Sequence, residues 1–222
     1  MTRPAAAPRA VVFDLDGTLL DSLPLVLAAI AHAVEPFGGS RPTRDIFATL
    51  GGPPEKFMPA LIRDLAQVPE AIARMERYHS ENTHLIQPFA GAAELLDALR
   101  ALGVRAALWT GRDRKSTEVL LARHGLAGHF AAVVCGDDLP THKPDPAGLR
   151  EILRRLDVAP AEALFLGDAD VDVLGGVACG VDTILIRHER EIQTHIVARS
   201  WRQAASPAEA YALVRARLVA QG

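Results

Sequence analysis

Aspartates follow two apolar runs of this chain, at positions where their side chains could do chemistry together. Asp14 and Asp16 stand after the first run, and Asp168 and Asp172 stand after a later one. If both runs are parallel strands, their carboxyl ends share the sheet edge at which ligands bind. A bend after Asp14, made easy by Gly17, lets the first two aspartates reach that edge. Clustered carboxylates repel one another unless a cation compensates, and oxygen ligation favours Mg²⁺.

Three further residues offer groups that bind phosphate oxygens. Thr110 supplies a hydroxyl and Gly111 an unhindered backbone N–H, both just ahead of a predicted helix. Lys143 supplies a positive charge, and Pro144 favours an extended backbone at Lys143 that fixes where the ammonium projects. Both sets of residues therefore suit phosphate chemistry at one site.

Short apolar runs and helical patterns supply the elements that must position these residues. Runs rich in Val, Ile, Leu and Phe are predicted to be strands buried on both faces: Ala10–Phe13, Val104–Trp109, Ala131–Cys135, Ala163–Leu166 and Val181–Ile186. Apolar residues at three- and four-residue spacing predict helices: Ala92–Leu102, Lys115–His124, Pro146–Leu156, Val171–Cys179 and a last helix from the capping box at Ser206 to about Val219. This alternation predicts an α/β fold, a Rossmann-like parallel sheet with helices on both faces.

The spacing of the first two strands indicates an insertion. They start at Ala10 and Val104, 94 residues apart, whereas a simple crossover needs about 30 residues including its helix. The surplus residues show helical patterns at Leu23–Val34, Glu55–Leu65 and Pro69–His84. We therefore predict a catalytic core of residues 1–20 and 88–222 and an α-helical cap domain of residues 21–87.

Composition excludes several classes of protein. The 222 residues carry 24 Lys and Arg against 27 Asp and Glu, a net charge of −3 without a basic stripe, so nucleic-acid binding is not expected. No apolar run reaches the roughly 18 residues of a membrane span. Cys135 and Cys179 have apolar or small neighbours, which indicates reduced core thiols and a cytoplasmic protein. The histidines lack metal-ligand spacing. We expect a monomer or a weak homodimer.

The four motifs together resemble those of a known family. In chain order they are Asp14-x-Asp16-Gly-Thr-Leu-x-Asp-Ser, Thr110-Gly111, Lys143-Pro-x-Pro and Gly-Asp168-x-x-x-Asp172. This set, over about residues 10–186, resembles the haloacid dehalogenase superfamily in its phosphatase branch. The resemblance is closest to phosphoglycolate-phosphatase-like members with a helical, C1-type cap inserted after the first motif.

The resemblance implies a Mg²⁺-dependent phosphatase acting on a small phosphorylated metabolite. Asp14 would be the nucleophile that becomes an aspartyl-phosphate, and Asp16 would protonate the leaving group and then activate water. Mg²⁺ would bind the carboxylates of Asp14 and Asp168 and the backbone carbonyl of Asp16, while Asp172 orders the surroundings. Lys143 would neutralise charge between Asp14 and the phosphoryl oxygens.

Two basic residues have roles that the resemblance leaves open. Relatives carry Asn, Ser or Lys after the threonine of the second motif, whereas Gly111 and Arg112 follow Thr110 here. We expect Arg112 to contact the phosphate, with Thr110 and Gly111, or else the far end of the substrate. Lys56 ends a Gly- and Pro-rich loop that resembles the cap loop facing the site in relatives. It is either a substrate-binding residue or a solvent-facing lysine.

Three alternative functions remain open on the sequence. A phosphomutase related to β-phosphoglucomutase would pass the phosphoryl group to a second sugar hydroxyl. Gly17-Thr18 is the phosphatase-like form of the motif, because such mutases often have valine in place of the threonine. A 2-haloacid dehalogenase needs no metal and lacks the second acid, so Asp16 argues against it. A non-catalytic binding protein would not need the complete set of groups.

Overall fold

The computed structural model describes residues 8–39, 54–188 and 192–219 and contains a six-stranded parallel sheet. The strands are β1 Ala10–Phe13, β2 Leu20–Asp21, β3 Gln87–Pro88, β4 Arg105–Trp109, β5 Phe130–Val134, β6 Ala163–Gly167, β7 Asp182–Ile186 and β8 Arg202–Ala204. Six of them form one sheet in the order β5-β4-β1-β6-β7-β8, and β2 pairs with β3. Neighbouring strands of the large sheet run parallel.

Helices connect the strands. They are α1 Leu23–Val34, α2 Pro54–Leu61, α3 Val68–Glu81, α4 Ala92–Ala101, α5 Arg114–Arg123, α6 Ala147–Leu156, α7 Asp170–Cys179, α8 Thr194–Val197 and α9 Pro207–Val219. Short 3₁₀ turns lie at Glu35–Phe37, Leu65–Gln67, Thr83–Leu85, Ala127–His129 and Pro160–Glu162. Among the described residues, no helix is both long enough and apolar enough to cross a lipid bilayer.

The apolar sequence of β1 follows from its place in the sheet. β1 pairs with β4 on one side and with β6 on the other, and all four of its residues are 0% exposed. Leu149 and Ile152 of α6 pack with Val12 and Phe165 in one apolar cluster. A strand covered in this way has no solvent-facing position, so its residues do not alternate between apolar and polar.

The chain divides into two compact units. The first contains the large sheet and consists of the described residues up to 20 with 88–188 and 192–219. The second contains α1, α2 and α3 in residues 21–39 and 54–87. The helices of the second unit share a core of their own: Ile30, Ala33, Val34, Met58, Ile62 and Ala71.

The fold class predicted from the sequence is confirmed, while several element boundaries differ. The helix predicted at Glu55–Leu65 ends at Leu61, and the Asp64 carboxylate accepts the backbone N–H of Ala66 at the next turn. The short strands β2, β3 and β8 and the helix α8 were not predicted. β8 has the sequence Arg-Gln-Ala, in which only Ala204 is buried, so no apolar run marks it. Its pairing with β7 makes it a strand.

Candidate active site

The loop after β1 turns sharply at Gly17. The backbone N–H of Asp14 donates to the carbonyl of Leu166 at 2.8 Å, which keeps Asp14 aligned with the sheet. Gly17 then has φ +78°, and a Cβ atom at this position would collide with the carboxylate of Asp168. Glycine is therefore required both by the backbone angle and by the close approach of Asp168. Asp14 is only 7% exposed.

Lys143 lies between two of the predicted aspartates. Its Nζ donates to Oδ1 of Asp14 and to Oδ1 of Asp172, each at 2.7 Å. The ammonium also lies 4.9 Å from the ring centroid of Trp109 and 5.4 Å from that of Phe165. Aromatic faces attract a cation at this range, so four neighbours fix the position of the Lys143 ammonium.

Asp172 connects Lys143 to the loop after β6. While Oδ1 of Asp172 accepts from Lys143, Oδ2 accepts the backbone N–H groups of Asp168 at 3.1 Å and Ala169 at 3.0 Å. Asp172 lies in the first turn of α7, where a carboxylate also interacts favourably with the helix dipole. Its hydrogen bonds therefore hold the backbone that carries the Asp168 side chain.

Three buried carboxylates share this small volume. Oxygen atoms of Asp14, Asp168 and Asp172 lie within 4.8 Å of one another. Burial raises the pKa of Asp14 well above its usual range, and the charges of Asp172 and Asp168 add to this effect against the opposing charge of Lys143. Burial by itself would lower the pKa of Lys143, but Asp14 and Asp172 outweigh it and raise that pKa. The ammonium is therefore charged, and one positive charge faces three acids.

The excess of negative charge from three carboxylates over one ammonium is what a bound metal ion would have to balance. The donors of Asp14, Asp168 and Asp172 are all carboxylate oxygens and are close enough to share one ion. Hard divalent cations take such oxygen ligands. A cation would also offset the repulsion from Asp172 and Asp168, which adds to burial in raising the pKa of Asp14. The cluster therefore fits a divalent cation.

Asp16 lies with Arg112 and not in the carboxylate cluster. Nε of Arg112 donates to Oδ2 of Asp16 at 2.9 Å, and Nη2 donates to Oδ1 at 2.7 Å. Burial by itself would lower the pKa of Arg112, but the Asp16 charge outweighs it, so the pKa is raised. The side chain of Arg112 is 12% exposed and that of Asp16 is 32% exposed. The backbone N–H of Arg112 donates to Oγ1 of Thr110 at 3.1 Å, which fixes the loop after β4.

Thr110 and Gly111 come together with Lys143 around a small cavity. The cavity has a volume of about 20 Å³, and His142 and Cys135 also line it. Such a volume holds about one water molecule. Thr110 is 3% exposed, and its backbone N–H donates to the carbonyl of Val134 at 3.0 Å. The structure therefore unites the second and third motifs in the same unit. Both cysteines, Cys135 and Cys179, are free.

Two residues beside the site were not identified from the sequence. The hydroxyl of Tyr211 donates to the carbonyl of Thr18 at 2.6 Å, and Nε2 of His188 lies within hydrogen-bonding distance of the carbonyl of Gly17. Both contacts hold the loop that carries Asp16. They join residues 193 and 171 positions apart, so no local pattern could have identified them.

Lys56 lies in α2, but its side chain is outside the described atoms, as are the glycines and the first proline of the loop before it. The predicted role of Lys56 therefore stays a prediction.

Fold and site define a class of protein. A Rossmann-like parallel sheet with three carboxylates and one buried ammonium near its strand ends is typical of an α/β enzyme, and the carboxylate cluster fits a cation. The sequence profile of the family described as haloacid dehalogenase-like hydrolase matches residues 11–186, and the chain belongs to this family. The family predicted from the four motifs is thus confirmed.

Curated relatives and solved structures agree with this assignment. The phosphoglycolate phosphatase of Pseudomonas putida is 33% identical over 193 residues, which cover 82% of this chain and 70% of the relative. The pyrophosphatase PpaX of Halalkalibacterium halodurans is 29% identical over 178 residues, which cover 79% of this chain and 82% of the relative. A haloacid dehalogenase-like hydrolase from Streptococcus pneumoniae has a TM-score of 0.76 at 22% identity. The match covers 93% of this chain and 98% of the solved structure, and it shows the fold. The predicted enzyme class, a phosphoric monoester hydrolase of this family, is confirmed.

Proposed function

We propose that this protein is a Mg²⁺-dependent phosphatase that hydrolyses a small phosphate ester through an aspartyl-phosphate on Asp14. The observation that carries the proposal is the contact of the Lys143 ammonium with Asp14 at 2.7 Å, in a cluster with two further buried carboxylates. An isolated buried carboxylate is a poor nucleophile towards a dianion. The lysine charge beside it makes the approach of a phosphate favourable.

The first step forms the aspartyl-phosphate. An oxygen of the Asp14 carboxylate attacks phosphorus, and the bond from phosphorus to the leaving-group oxygen breaks. Asp16 gives its proton to that oxygen, which departs as an alcohol. Lys143 stays paired with Asp14 and balances the negative charge that collects on the phosphoryl oxygens.

The second step releases phosphate. Asp16, now a carboxylate, takes a proton from a water molecule whose oxygen attacks phosphorus. The bond between phosphorus and the Asp14 oxygen breaks, which regenerates the free carboxylate and inorganic phosphate. Asp16 ends with the proton it needs for the next cycle, so one acid serves both steps.

The carboxylates of Asp14 and Asp168 and the backbone carbonyl of Asp16 would hold the Mg²⁺. The ion supplies positive charge against the phosphoryl oxygens when bound. Asp172 is a positioning residue in this scheme, because both of its oxygens already accept hydrogen bonds from Lys143 and from the backbone after β6. Thr110, Gly111 and Arg112 are proposed to bind the phosphate group itself.

The substrate is proposed to be a small metabolite such as phosphoglycolate, supported by the names of the curated relatives. We propose that the core comprises residues 1–20 and 88–222 and that the inserted residues 21–87, including Lys56, select the substrate. No part of this scheme involves nucleic acid.

Purified protein should release free phosphate from at least one member of a panel of phosphoglycolate, sugar phosphates, nucleotides and pyrophosphate. EDTA should abolish this activity and excess MgCl₂ should restore it. Asp14→Asn should lower turnover by a factor of about 10³ or more, because the amide is not a nucleophile. Asp170→Asn is the matched control, since Asp170 is an exposed carboxylate whose Oδ1 accepts the backbone N–H of Val171.

Full turnover by Asp14→Asn on every ester that the parent hydrolyses would refute the nucleophile assignment. Conversion of a sugar phosphate to its isomer without free phosphate would instead identify a phosphomutase. Chloride release from a 2-haloacid in EDTA would identify a dehalogenase. Binding of Mg²⁺ without turnover of any ester would identify a non-catalytic protein.

A further inference from the structure

The pairing of Asp16 with Arg112 conflicts with the proposed role of Asp16 as the residue that carries the proton to the leaving group. Both carboxylate oxygens of Asp16 accept hydrogen bonds from one guanidinium, at 2.9 and 2.7 Å. Such a bidentate fork fixes the plane of the carboxylate and turns it towards the arginine. A proton carrier must instead place an oxygen within about 3 Å of the leaving-group oxygen. Opening the pair at one oxygen would free that oxygen to turn towards the leaving group, as the role of proton carrier requires.

A phosphate group is a suitable competitor for this guanidinium. The planar fork of arginine matches the spacing of two phosphate oxygens as well as that of two carboxylate oxygens, and a dianion attracts it more strongly. Arg112 is positioned to meet such a group. It follows the Thr110-Gly111 pair directly, and its own backbone N–H is held by Oγ1 of Thr110. The charge of Asp14 also acts on the Arg112 guanidinium, so Arg112 lies within electrostatic range of the proposed nucleophile.

We propose that Arg112 and Asp16 form a latch that the substrate's phosphate group opens. Before substrate binds, the guanidinium holds Asp16. The arriving phosphate takes over the guanidinium, and the released Asp16 carboxylate takes up from solvent the proton that it later donates to the leaving group. The proton carrier is thus freed only when a phosphate is bound. Arg112 is a phosphate-binding residue in this scheme and also a positioning residue for Asp16. The exchange itself is a statement about binding, whereas its catalytic consequence rests on the proposed function.

In this scheme Asp16 and phosphate compete for Arg112, and the competition can be measured as a binding affinity, without turnover. Removing the Asp16 side chain should strengthen phosphate binding in two ways, by deleting a negative charge and by freeing Arg112. Only the second contribution needs Arg112. A double-mutant cycle separates the two contributions.

The experiment measures the dissociation constant of inorganic phosphate by titration calorimetry in saturating MgCl₂. The proteins are the parent, Asp16→Ala, Arg112→Gln and the double variant, each checked for a cooperative thermal transition. We expect Asp16→Ala to tighten phosphate binding by about tenfold when Arg112 is present, a coupling of the size typical between linked sites, and by less than about twofold when it is absent. When Arg112 is replaced by lysine, a point charge without the planar fork, Asp16→Ala should tighten phosphate binding by an intermediate factor.

Lys115→Gln is the matched control for the loss of a positive charge. Lys115 is an exposed residue three positions beyond Arg112 and in the same loop-to-helix region. In the Lys115→Gln background, Asp16→Ala should keep its whole gain in phosphate affinity. The same result in the Arg112→Gln background would show that the gain is only electrostatic relief and would overturn the latch. If inorganic phosphate bound to neither the parent nor Asp16→Ala, the latch would also be overturned.

The outcomes for the latch and for the proposed function are distinct. Arg112-dependent coupling in a protein that hydrolyses no ester would establish the exchange and refute the phosphatase. Hydrolysis by a protein in which Asp16→Ala and Arg112→Gln act independently on phosphate binding would leave the phosphatase and refute the latch.

Discussion

Single residues of the site are held by charges that are buried together. The ammonium of Lys143 contacts Asp14 and Asp172 and also lies near two aromatic rings. Burying such groups is costly, and removing one partner of a buried pair typically costs about 3 to 5 kcal/mol, because the other charge is left uncompensated. The site is therefore an arrangement in which each charged residue depends on the others.

Gly17→Ala tests this arrangement at one atom. The variant forces a Cβ atom onto the Asp168 carboxylate, so we expect the loss of most phosphatase activity and weaker Mg²⁺ binding. We also expect a destabilisation of about 1 kcal/mol or more, since alanine is strained at positive φ. Gly125→Ala is the control, because Gly125 has φ +69° and nothing within 4 Å of its Cβ position. Urea unfolding, calorimetric titration with Mg²⁺ and turnover assays measure the three effects. Equal losses of activity in both variants would show that strain alone, and not the collision, is responsible.

At the scale of elements, side-chain hydrogen bonds connect the loops that follow neighbouring strands. Arg114, at the start of α5, donates through Nε to Oδ1 of Asp138 at 2.7 Å and through Nη2 to Oδ2 of the same residue. Oδ2 of Asp138 also accepts the backbone N–H of Cys135 at 2.8 Å. The loop after β4, which carries Thr110, is in this way joined to the loop after β5.

The Arg114 pair makes part of the stability depend on pH. The hydrogen bonds from Arg114 lower the pKa of Asp138, against the opposing effect of burial. A carboxylate with a lowered folded-state pKa stabilises the fold above its ordinary pKa of about 3.9 and loses this effect as the pH falls through the folded-state value. Because Arg114 is 37% exposed, solvent screening limits the contribution. Asp138→Asn should therefore lower the free energy of unfolding by about 1 kcal/mol near neutral pH.

The difference in the free energy of unfolding between the parent and Asp138→Asn should become smaller as the pH falls below the ordinary pKa of aspartate. Urea unfolding of both proteins at neutral and acidic pH measures it. A difference that stays constant with pH would show that the ionised Asp138 carboxylate is not its source.

At the scale of the whole molecule, the carboxyl-terminal third of the chain supports a loop near the amino terminus. Tyr211 of α9 is 1% exposed and donates its hydroxyl to the carbonyl of Thr18. Burial raises the pKa of Tyr211, which keeps the hydroxyl a donor. His188, after β7, contacts the carbonyl of Gly17. The position of Asp16 therefore depends on segments that the four motifs do not include.

Tyr211→Phe removes this support while leaving the ring in place. We expect the free energy of unfolding to fall by about 1 kcal/mol, the net value of one buried hydrogen bond. Turnover should fall while KM stays near the parent value, because the loop positions Asp16 for proton transfer. Tyr78→Phe is the control, since the Tyr78 ring stacks on His32 and a phenylalanine ring can keep this contact. Chemical denaturation and steady-state kinetics measure both effects. Unchanged turnover in Tyr211→Phe would show that the loop does not need this hydrogen bond.

Local patterns in the sequence were enough to predict five of the six strands of the large sheet and the aspartates that follow two of them. β1 and β6 are continuous apolar runs because both of their faces are covered, and the aspartates that follow them can be identified by position alone. The role of glycine at position 17 could also be anticipated in part, because a turn needs it. These features depend on residues close together in the chain, so the printed sequence determines them.

Tertiary structure alone decided which side chains meet. The sequence predicted that Arg112 contacts either the phosphate or the far end of the substrate, but it did not predict the bidentate pairing with Asp16, which joins residues 96 positions apart. Likewise β8 is a strand because β7 offers it a partner edge, since its own three residues carry little strand pattern. Contacts of this kind arise when the sheet brings distant loops to one edge, and pairing then depends on three-dimensional proximity and charge, which spacing along the chain does not encode.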